Sequence, residues 1–277
     1  MIKYLYNFSC DWYHFFSLSP SYLHPKERMM KIAVISDIHG NLPALEAVLE
    51  DISRYGADQL YCLGDLTDAA PWHNEVIQRI RTLRIPTIMG NHDERIAYDL
   101  PVKPLAKHGP EERAARLAAI EFTRNTITVD NKQFLRTLPH LLHLQFGRYR
   151  ILLAHGTPES NETYLYADHP EEILLDMMHR AGTDLLITGH THLSYIRTMD
   201  NGRKTAINTG SVGRSKEPDR LASYLRLEIS NSDAPTLPEL FKATIRKVEY
   251  DMALTLTGIR NSPVPDFYAD FLSGVLT

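Results

Sequence analysis

Five short clusters hold most of the chemistry this chain can offer: DIHGN at residues 37–41, GDLTD at 64–68, GNHD at 90–93, AHG at 154–156 and GHTH at 189–192. Each follows a hydrophobic run and supplies carboxylate, imidazole or amide groups, the inventory of a two-metal hydrolytic centre. Asp37 and His39 are spaced i, i+2, as are His190 and His192, and in an extended segment that spacing points both side chains to one side. Asp65 can bridge two cations through its two oxygens, and Asn91 and His155 add a neutral oxygen and a nitrogen. The set contains oxygen and nitrogen but no thiolate. It suits Mn, Fe, Co, Ni or Zn without choosing among them, and its wealth of imidazole argues against Ca or Mg alone.

Regular elements must bring these clusters together. KIAVIS (31–36) reads as a strand, Leu42–Tyr55 as a helix with Leu45, Val48, Leu49 and Ile52 at helical spacing, and QLYCLG as a second strand. Residues 74–83 read as a helix, PTIMG as a third strand, and 111–123 and 130–138 as helices. RYRILLAHG, DLLITGH, LSYIRTM, KTAINTG and LASYLRLEI read as strands, with a helix over 170–181 among them and Asn201-Gly202 as a hairpin signal. No repeat or low-complexity linker interrupts the pattern, so residues 31–250 form one α/β domain, followed by a helical tail over 251–277. Every cluster then falls at the carboxyl end of a predicted strand, where open α/β sheets collect ligands. Gly40, Gly64, Gly90, Gly156 and Gly189 flank the ligands where the backbone needs positive φ or crowds a metal.

The 277 residues, 43% of them hydrophobic, suffice for one large domain with a substantial core. A net charge of −4 lacks the basic excess of a dedicated nucleic-acid binder. The two cysteines, Cys10 and Cys62, form no CxxC, which points to a reducing, cytoplasmic setting with Cys62 as a small core residue. The first 30 residues are rich in aromatics (Tyr4, Tyr6, Phe8, Trp12, Tyr13, Phe15, Phe16, Tyr22) yet broken by Asn7, Asp11, His14 and Pro20. With no uninterrupted apolar region they make a poor signal peptide, and no stretch of the chain approaches the roughly 18 apolar residues of a membrane span. Met29 and Met30 directly precede the first strand. Two readings follow: translation begins there and the leader is not native, or its aromatics pack on the domain or a partner.

Taken in order, DxH, GD, GNHD, H and GHTH resemble the calcineurin-like metallophosphoesterase superfamily. The strings SDIHGNLPALEAVLED, GNHDE, LLAHGTP, LITGHTH and INTGSVG are similar to its small bacterial phosphodiesterase branch, over about residues 31–230. The resemblance implies a four-layer α-β-β-α sandwich, a choice that periodicity alone does not make. It also implies that Asp37, His39 and His192 hold one metal and Asn91, His155 and His190 a second, with Asp65 bridging. His92 would lie beside the scissile phosphate of a small phosphate ester. Two cations about 3.5–4 Å apart would then clamp the phosphoryl oxygens and present a bridging hydroxide to phosphorus. His92 would steady the developing charge or protonate the leaving oxygen, and Asp93 would orient its ring, cap a helix starting near Glu94, or both.

Singly, each residue has a plainer reading. Asp37 and Asp65 alone would be loop carboxylates, and His155 alone a structural histidine; their company favours metal ligation. Asn41, ahead of Pro43 in the first helical turn, reads as an N-cap rather than a substrate contact. Asp68, Asp168 and the remaining histidines carry no functional assignment, and Tyr164 and Tyr166 read as local core before cleft lining. GDLTDAA and GNHD stand where protein phosphatases and dinucleoside-polyphosphate hydrolases of the superfamily carry GDxVDRG and GNHE. The missing arginine disfavours those substrates and favours small phosphodiesters, with monoesters open. A degenerate interaction scaffold on this fold is the main alternative; its discriminating mark, loss of ligands, is absent here. A DNA nuclease would want basic grooves or accessory domains.

Overall fold

The computed structural model describes residues 29–102, 109–230 and 236–275, so the aromatic leader up to residue 28 lies outside the described residues. The chain opens with β1 (Met30–Ile35), whose continuous apolar run is buried on both faces. Asn41 then caps α1 (Leu42–Tyr55), its side chain accepting the Ala44 amide at 3.2 Å. The helix ends at Gly56, which takes a left-handed conformation. β2 (Gln59–Cys62), α2 (His73–Thr82), α3 (Asn91–Ala97), α4 (Pro110–Thr126) and α5 (Val129–Arg136) complete the first half.

The second half contains β3 (Leu141–Phe146), β4 (Tyr149–Ala154), α6 (Glu171–Arg180), β5 (Leu185–Thr188), β6 (Tyr195–Met199), β7 (Lys204–Asn208) and β8 (Ala222–Ile229). It closes with the short α7 (Leu237–Leu240), β9 (Phe241–Val248), α8 (Met252–Arg260) and α9 (Phe267–Leu272). Two mixed sheets result, ordered β2-β1-β8-β9 and β3-β4-β5-β7-β6.

The burial pattern gives four layers. Ile32 and Val34 of β1 meet Ile151, Leu153, Leu185, Ile187 and Ile207 between the sheets. On the opposite face of β1, Ala33 and Ile35 pack against Leu45 and Val48 of α1 and Val76 and Ile77 of α2. The outer face of the second sheet, through Leu152, Leu186 and Ala206, is covered by Leu174, Met177 and Met178 of α6. This is the α-β-β-α sandwich of a single α/β domain. Cys62 is fully buried, and burial pushes its thiol pKa up, so it behaves as a small apolar core residue.

Three elements differ from the sequence expectations. PTIMG makes a single parallel bridge from Thr87 to Cys62 rather than a strand, because Pro86 has no N–H to donate and the Met89 amide turns away to the Pro139 carbonyl. β3 and β9 form where no strand was read. Both are sheet edges, with polar residues on their exposed faces. Around Asn201, at φ 52°, the chain reverses between β6 and β7 as an antiparallel hairpin. The segment after residue 250 folds back as α8 and α9, where Ile259, Tyr268 and Leu272 pack with Ala115 and Ala119 of α4.

A buried charge cluster ties the first helix to the first sheet. Asp51 of α1 accepts from Tyr224 Oη at 2.8 Å, Arg226 Nη2 at 2.5 Å and Arg246 Nη2 at 3.1 Å. Burial opposes its charge, but the hydrogen bonds from Arg246 and Tyr224 and the charge of Arg226 win and lower its pKa to about 2. A carboxylate depressed below its unfolded value stabilises the fold above that unfolded value, about pH 4, and loses the contribution as pH falls toward the folded one. Asp51→Asn is therefore expected to cost about 2–3 kcal/mol at pH 7 by urea denaturation. The gap from the parent protein should close progressively below pH 4; a gap constant from pH 7 to pH 3 would refute this role for Asp51.

Candidate metal centre

All seven residues read as ligands converge at one end of the sandwich, where the strands β1, β2, β4 and β5 run out. Asp37 follows β1, Asp65 follows β2, His155 follows β4, and His190 and His192 follow β5. Parallel pairing of β1 with β2 and of β4 with β5 brings these ends side by side. The ligand atoms of Asp37, His39 and His192 lie within 4.8 Å of one another, as do those of Asp65, His155 and His190. His39 lies near both groups, its Nε2 3.8 Å from Asp37 Oδ1 and 3.7 Å from Asp65 Oδ2.

The backbone is bent to make this possible. Asp37, His39, Asp65, His190 and His192 all adopt positive φ, between 50° and 65°. Asp and His tolerate this region better than most side chains, but five such residues at one site mark stored strain. The strain is held by cross-connections: Asp37 N–H donates to the Gly64 carbonyl at 3.0 Å, His39 N–H to the Asp65 carbonyl at 2.9 Å, and His190 N–H to Asp37 Oδ2 at 2.9 Å. Among the flanking glycines, Gly40 and Gly64 take positive φ themselves. Gly90 and Gly189 serve by lacking a side chain: a Cβ on Gly90 would collide with the Asp65 carboxylate, and one on Gly189 with Asp37 and Ser36.

Four imidazoles have their outer nitrogens committed to backbone carbonyls. His39 Nδ1 meets the Thr67 carbonyl at 3.1 Å, His155 Nδ1 that of Leu63 at 2.9 Å, His192 Nδ1 that of Arg214 at 2.7 Å, and His190 Nε2 that of Glu162 at 3.2 Å. A carbonyl only accepts, so each of these nitrogens carries the proton and the other ring nitrogen presents a lone pair inward. His39 Nε2 and His192 Nε2 then face each other at 3.1 Å. Asp37 Oδ1, 3.1 Å from His192 Nε2, is buried with no hydrogen-bond donor among the described residues. His155 Nε2 lies 3.3 Å from Asp65 Oδ2, and one end of the Asn91 carboxamide is 3.2 Å from His155 Nε2, His190 Nδ1 and Asp65 Oδ2.

The donors that can reach this group are the Asn91 amide, turned inward, and a second proton on His155; Asp37 Oδ1 and the facing nitrogens of His39 and His192 still repel unless positive charge is placed among them. These residues fit divalent cations bound through nitrogen and oxygen. Titration agrees. Burial lowers the pKa of His190 to about 3 and of His192 to about 4, which keeps both neutral and free to ligate. His155 is the exception: burial opposes its charging, but the adjacent Asp65 carboxylate prevails and raises it to about 9. A proton there answers the same negative charge that a cation would, so the two compete for one lone pair.

His92 and Asp93 lie in α3, which begins at Asn91, three residues before the expected start near Glu94. The partner of the His92 ring is Asp68, whose Oδ2 lies 2.6 Å from His92 Nδ1. Asp93 instead accepts the Leu66 amide at 2.8 Å and the Gly90 amide at 3.3 Å, capping the helix. Burial, then the nearby charge of Asp65, pushes Asp93 up to about 8. Asp68 carried no role in the sequence reading, and only its place on the left-handed turn after β2, at φ 70°, aims it at the ring. Tyr164 stacks on His190 with ring centroids 4.1 Å apart and also on Tyr166, so it lines the site rather than packing as core.

Asp65, Asn91, His92, His190 and His192 open into a cavity of about 340 Å³. Arg95, Arg116, Arg214 and Lys216 also line it. The arginine missing after the second motif is thus answered by guanidinium groups from α3, α4 and the loop after β7.

The calcineurin-like phosphoesterase superfamily domain matches residues 30–232, and the chain belongs to that superfamily. An uncharacterized protein of Methanocaldococcus jannaschii is 29% identical over 87% of this chain and 96% of its own length. Phosphodiesterase YfcE of Escherichia coli is 51% identical over 43 residues, 16% of this chain and 23% of YfcE. Among solved structures, a metallophosphoesterase from Sphaerobacter thermophilus is 26% identical, with a TM-score of 0.68 over 89% of this chain and 99% of that one. A hypothetical protein from Pyrococcus horikoshii shares the fold, with a TM-score of 0.73 at 21% identity over 88% of this chain and 98% of that one.

The repulsion among the ligands makes a direct prediction. Adding Mn²⁺, Co²⁺ or Zn²⁺ to chelator-treated protein should raise its melting temperature, by about 2.7 kcal/mol of stability at a metal concentration a hundredfold above Kd. Asp37→Asn should lose most of that gain. Equal melting curves with metal and with chelator would overturn the assignment.

Proposed function

We propose that this chain is a metal-dependent phosphodiesterase acting on small phosphate esters. Asp37, His39 and His192 would hold one divalent transition cation and Asn91, His155 and His190 a second, with Asp65 shared and manganese the favoured metal. The observation that carries the reading is the inward convergence of four imidazole ring nitrogens and two buried carboxylates, each ring held from behind by a backbone carbonyl. Bound there, such cations would withdraw charge from phosphoryl oxygens and make water acidic enough to serve as a nucleophile near neutral pH.

Hydrolysis adds water across one P–O bond: the water oxygen joins phosphorus, the bond to the leaving oxygen breaks, and that oxygen departs with a proton. His92 is the group placed to supply it. With Nδ1 held by Asp68, the remaining ring nitrogen is the one available to the cavity that His92 lines. Asp68 is a positioning residue: its carboxylate, 2.6 Å from Nδ1, fixes the orientation of the ring. Asp93 supports the same turn from behind by anchoring the Leu66 and Gly90 amides. The cavity, about 340 Å³, sits at the lower end of small-ligand sites, which run roughly 300–1,000 Å³, and that size favours a small ester. A buried, unpaired Cys62 fits work in the cytoplasm.

Manganese-loaded protein assayed on bis(p-nitrophenyl) phosphate tests the reading. His92→Ala should lower kcat by roughly 10²–10⁴-fold, about 2.7–5.4 kcal/mol, with the bound metal unchanged by elemental analysis. Asp68→Asn should lower kcat by about 10–100-fold with little change in KM. Asp65→Ala should retain fewer than two metal equivalents, whereas two equivalents retained would contradict the bridge. No nitrophenol release by the parent protein would sink the phosphodiesterase reading.

A further inference from the structure

The cavity holds more positive charge than the metal ligands explain. Arg95 comes from α3, Arg116 from α4, and Arg214 and Lys216 from the loop between β7 and β8. Glu112 and Glu162 are the lining carboxylates besides Asp65, whose charge the metal centre uses. Arg95 is 4% exposed, and its Nη1 meets no hydrogen-bond acceptor among the described residues. Its Nη2 is 4.0 Å from Glu162 and 3.1 Å from the Asn91 carboxamide. The Nε of Arg214 is likewise buried without an acceptor.

A charged N–H buried without a partner costs more than a neutral one, so such a group signals a missing acceptor. Arg214 is held in a way that keeps its donors available. Its guanidinium carbon lies 5.1 Å from the ring centroids of both Tyr268 and Phe271, so α9 anchors it through ring faces that use none of its N–H groups. Its backbone carbonyl accepts from His192 Nδ1, which fixes this arginine beside the metal ligands. The cations also feel one another: burial and then the charge of Arg95 lower the Arg116 pKa.

A bound cation pair would satisfy the oxygens of one phosphate, but it gives Arg95 Nη1 and Arg214 Nε, both without an acceptor among the described residues, nothing to donate to. Resting on the phosphoesterase reading above, we infer that the substrate carries a second anionic group, phosphoryl or carboxylate, which Arg95 and Arg214 hold while the first phosphate reacts. A diester with two neutral arms leaves both arginines unmet and is a poorer substrate. Bidentate guanidinium–oxyanion pairing gives this second site its geometry as well as its charge.

Two matched pairs of chromogenic esters test this and separate the two anions. Thymidine 5′-(p-nitrophenyl phosphate) is compared with its 3′-phosphorylated form, and methyl p-nitrophenyl phosphate with carboxymethyl p-nitrophenyl phosphate. At least one added anion should raise kcat/KM tenfold or more. Arg95→Gln and Arg214→Gln should each cut that ratio to about threefold or less, and Arg214→Lys should keep part of it. Because the ratio is taken within each variant, a partial loss of folding or of metal divides out. Ratios near one for both pairs in the parent protein, or a preference untouched by both glutamine variants, would overturn the inference. If no ester turns over at all, the catalytic reading fails separately and calorimetry decides the second site. Thymidine 3′,5′-bisphosphate should then bind at least tenfold tighter than thymidine 5′-phosphate, and equal affinities would overturn it.

Discussion

Acceptor atoms crowded into a buried space, with too few donors among the described residues to pair them all, are the constraint around which this molecule is arranged. Asp37 Oδ1 has no donor among the described residues, His39 Nε2 and His192 Nε2 face each other, and Asp65 Oδ2 is answered by His155 only while that ring holds a second proton. Only positive charge relieves them, and the surrounding backbone removes the simpler escape of rotating a ring or shifting a tautomer. Each imidazole is locked by a backbone carbonyl, those of Leu63 and Thr67 from the loop after β2, that of Glu162 from the loop after β4 and that of Arg214 from the loop after β7. Left-handed conformations at five ligands, each costing about 1 kcal/mol or more, persist because the neighbouring strand ends over-determine them.

The two sheets divide this labour. The first brings Asp37 and Asp65 through the parallel pair β1 and β2, and the second brings His155 and His190 through the parallel pair β4 and β5. The join between them is polar at its rim and apolar below. His155 donates to the Leu63 carbonyl across the sandwich, and His190 N–H donates to Asp37, while Ile32, Val34, Ile151 and Ile187 fill the space beneath. Packing of the apolar layer therefore sets the spacing of the ligands. The Asp51 cluster holds α1 to β8 and β9, and Asn41 receives a hydrogen bond from Thr255 of α8, which draws the C-terminal segment toward the same end.

The C-terminal helices do more than cover the fold. Tyr268 and Phe271 of α9 present ring faces to Arg214, so an element well outside the five ligand clusters shapes the cavity wall. Tyr164 contributes in the same way from another loop, stacking on His190. Aromatic faces hold cationic and imidazole groups in place while leaving their hydrogen-bonding edges turned to the cavity.

What the amino-acid order determined by itself was local. Apolar runs of period two and helical spacing marked most strands and helices, and the ligand clusters were visible because Asp, Asn and His stand at fixed intervals beside glycine after each run. The Asn41 cap was legible for the same reason, since a cap is decided within three residues. The edge strands β3 and β9 were obscured because a half-exposed face carries His, Gln, Lys and Arg, and that polarity dilutes the hydrophobic signal. Only the tertiary structure decided that Asp68, and not the adjacent Asp93, meets the His92 ring, because the outcome rests on a left-handed turn and a helix start 24 residues apart. It alone decided that arginines from three separate elements share one cavity with the metal ligands. Side-chain partners so distant in the chain are chosen by packing, which brings together atoms that no local pattern relates.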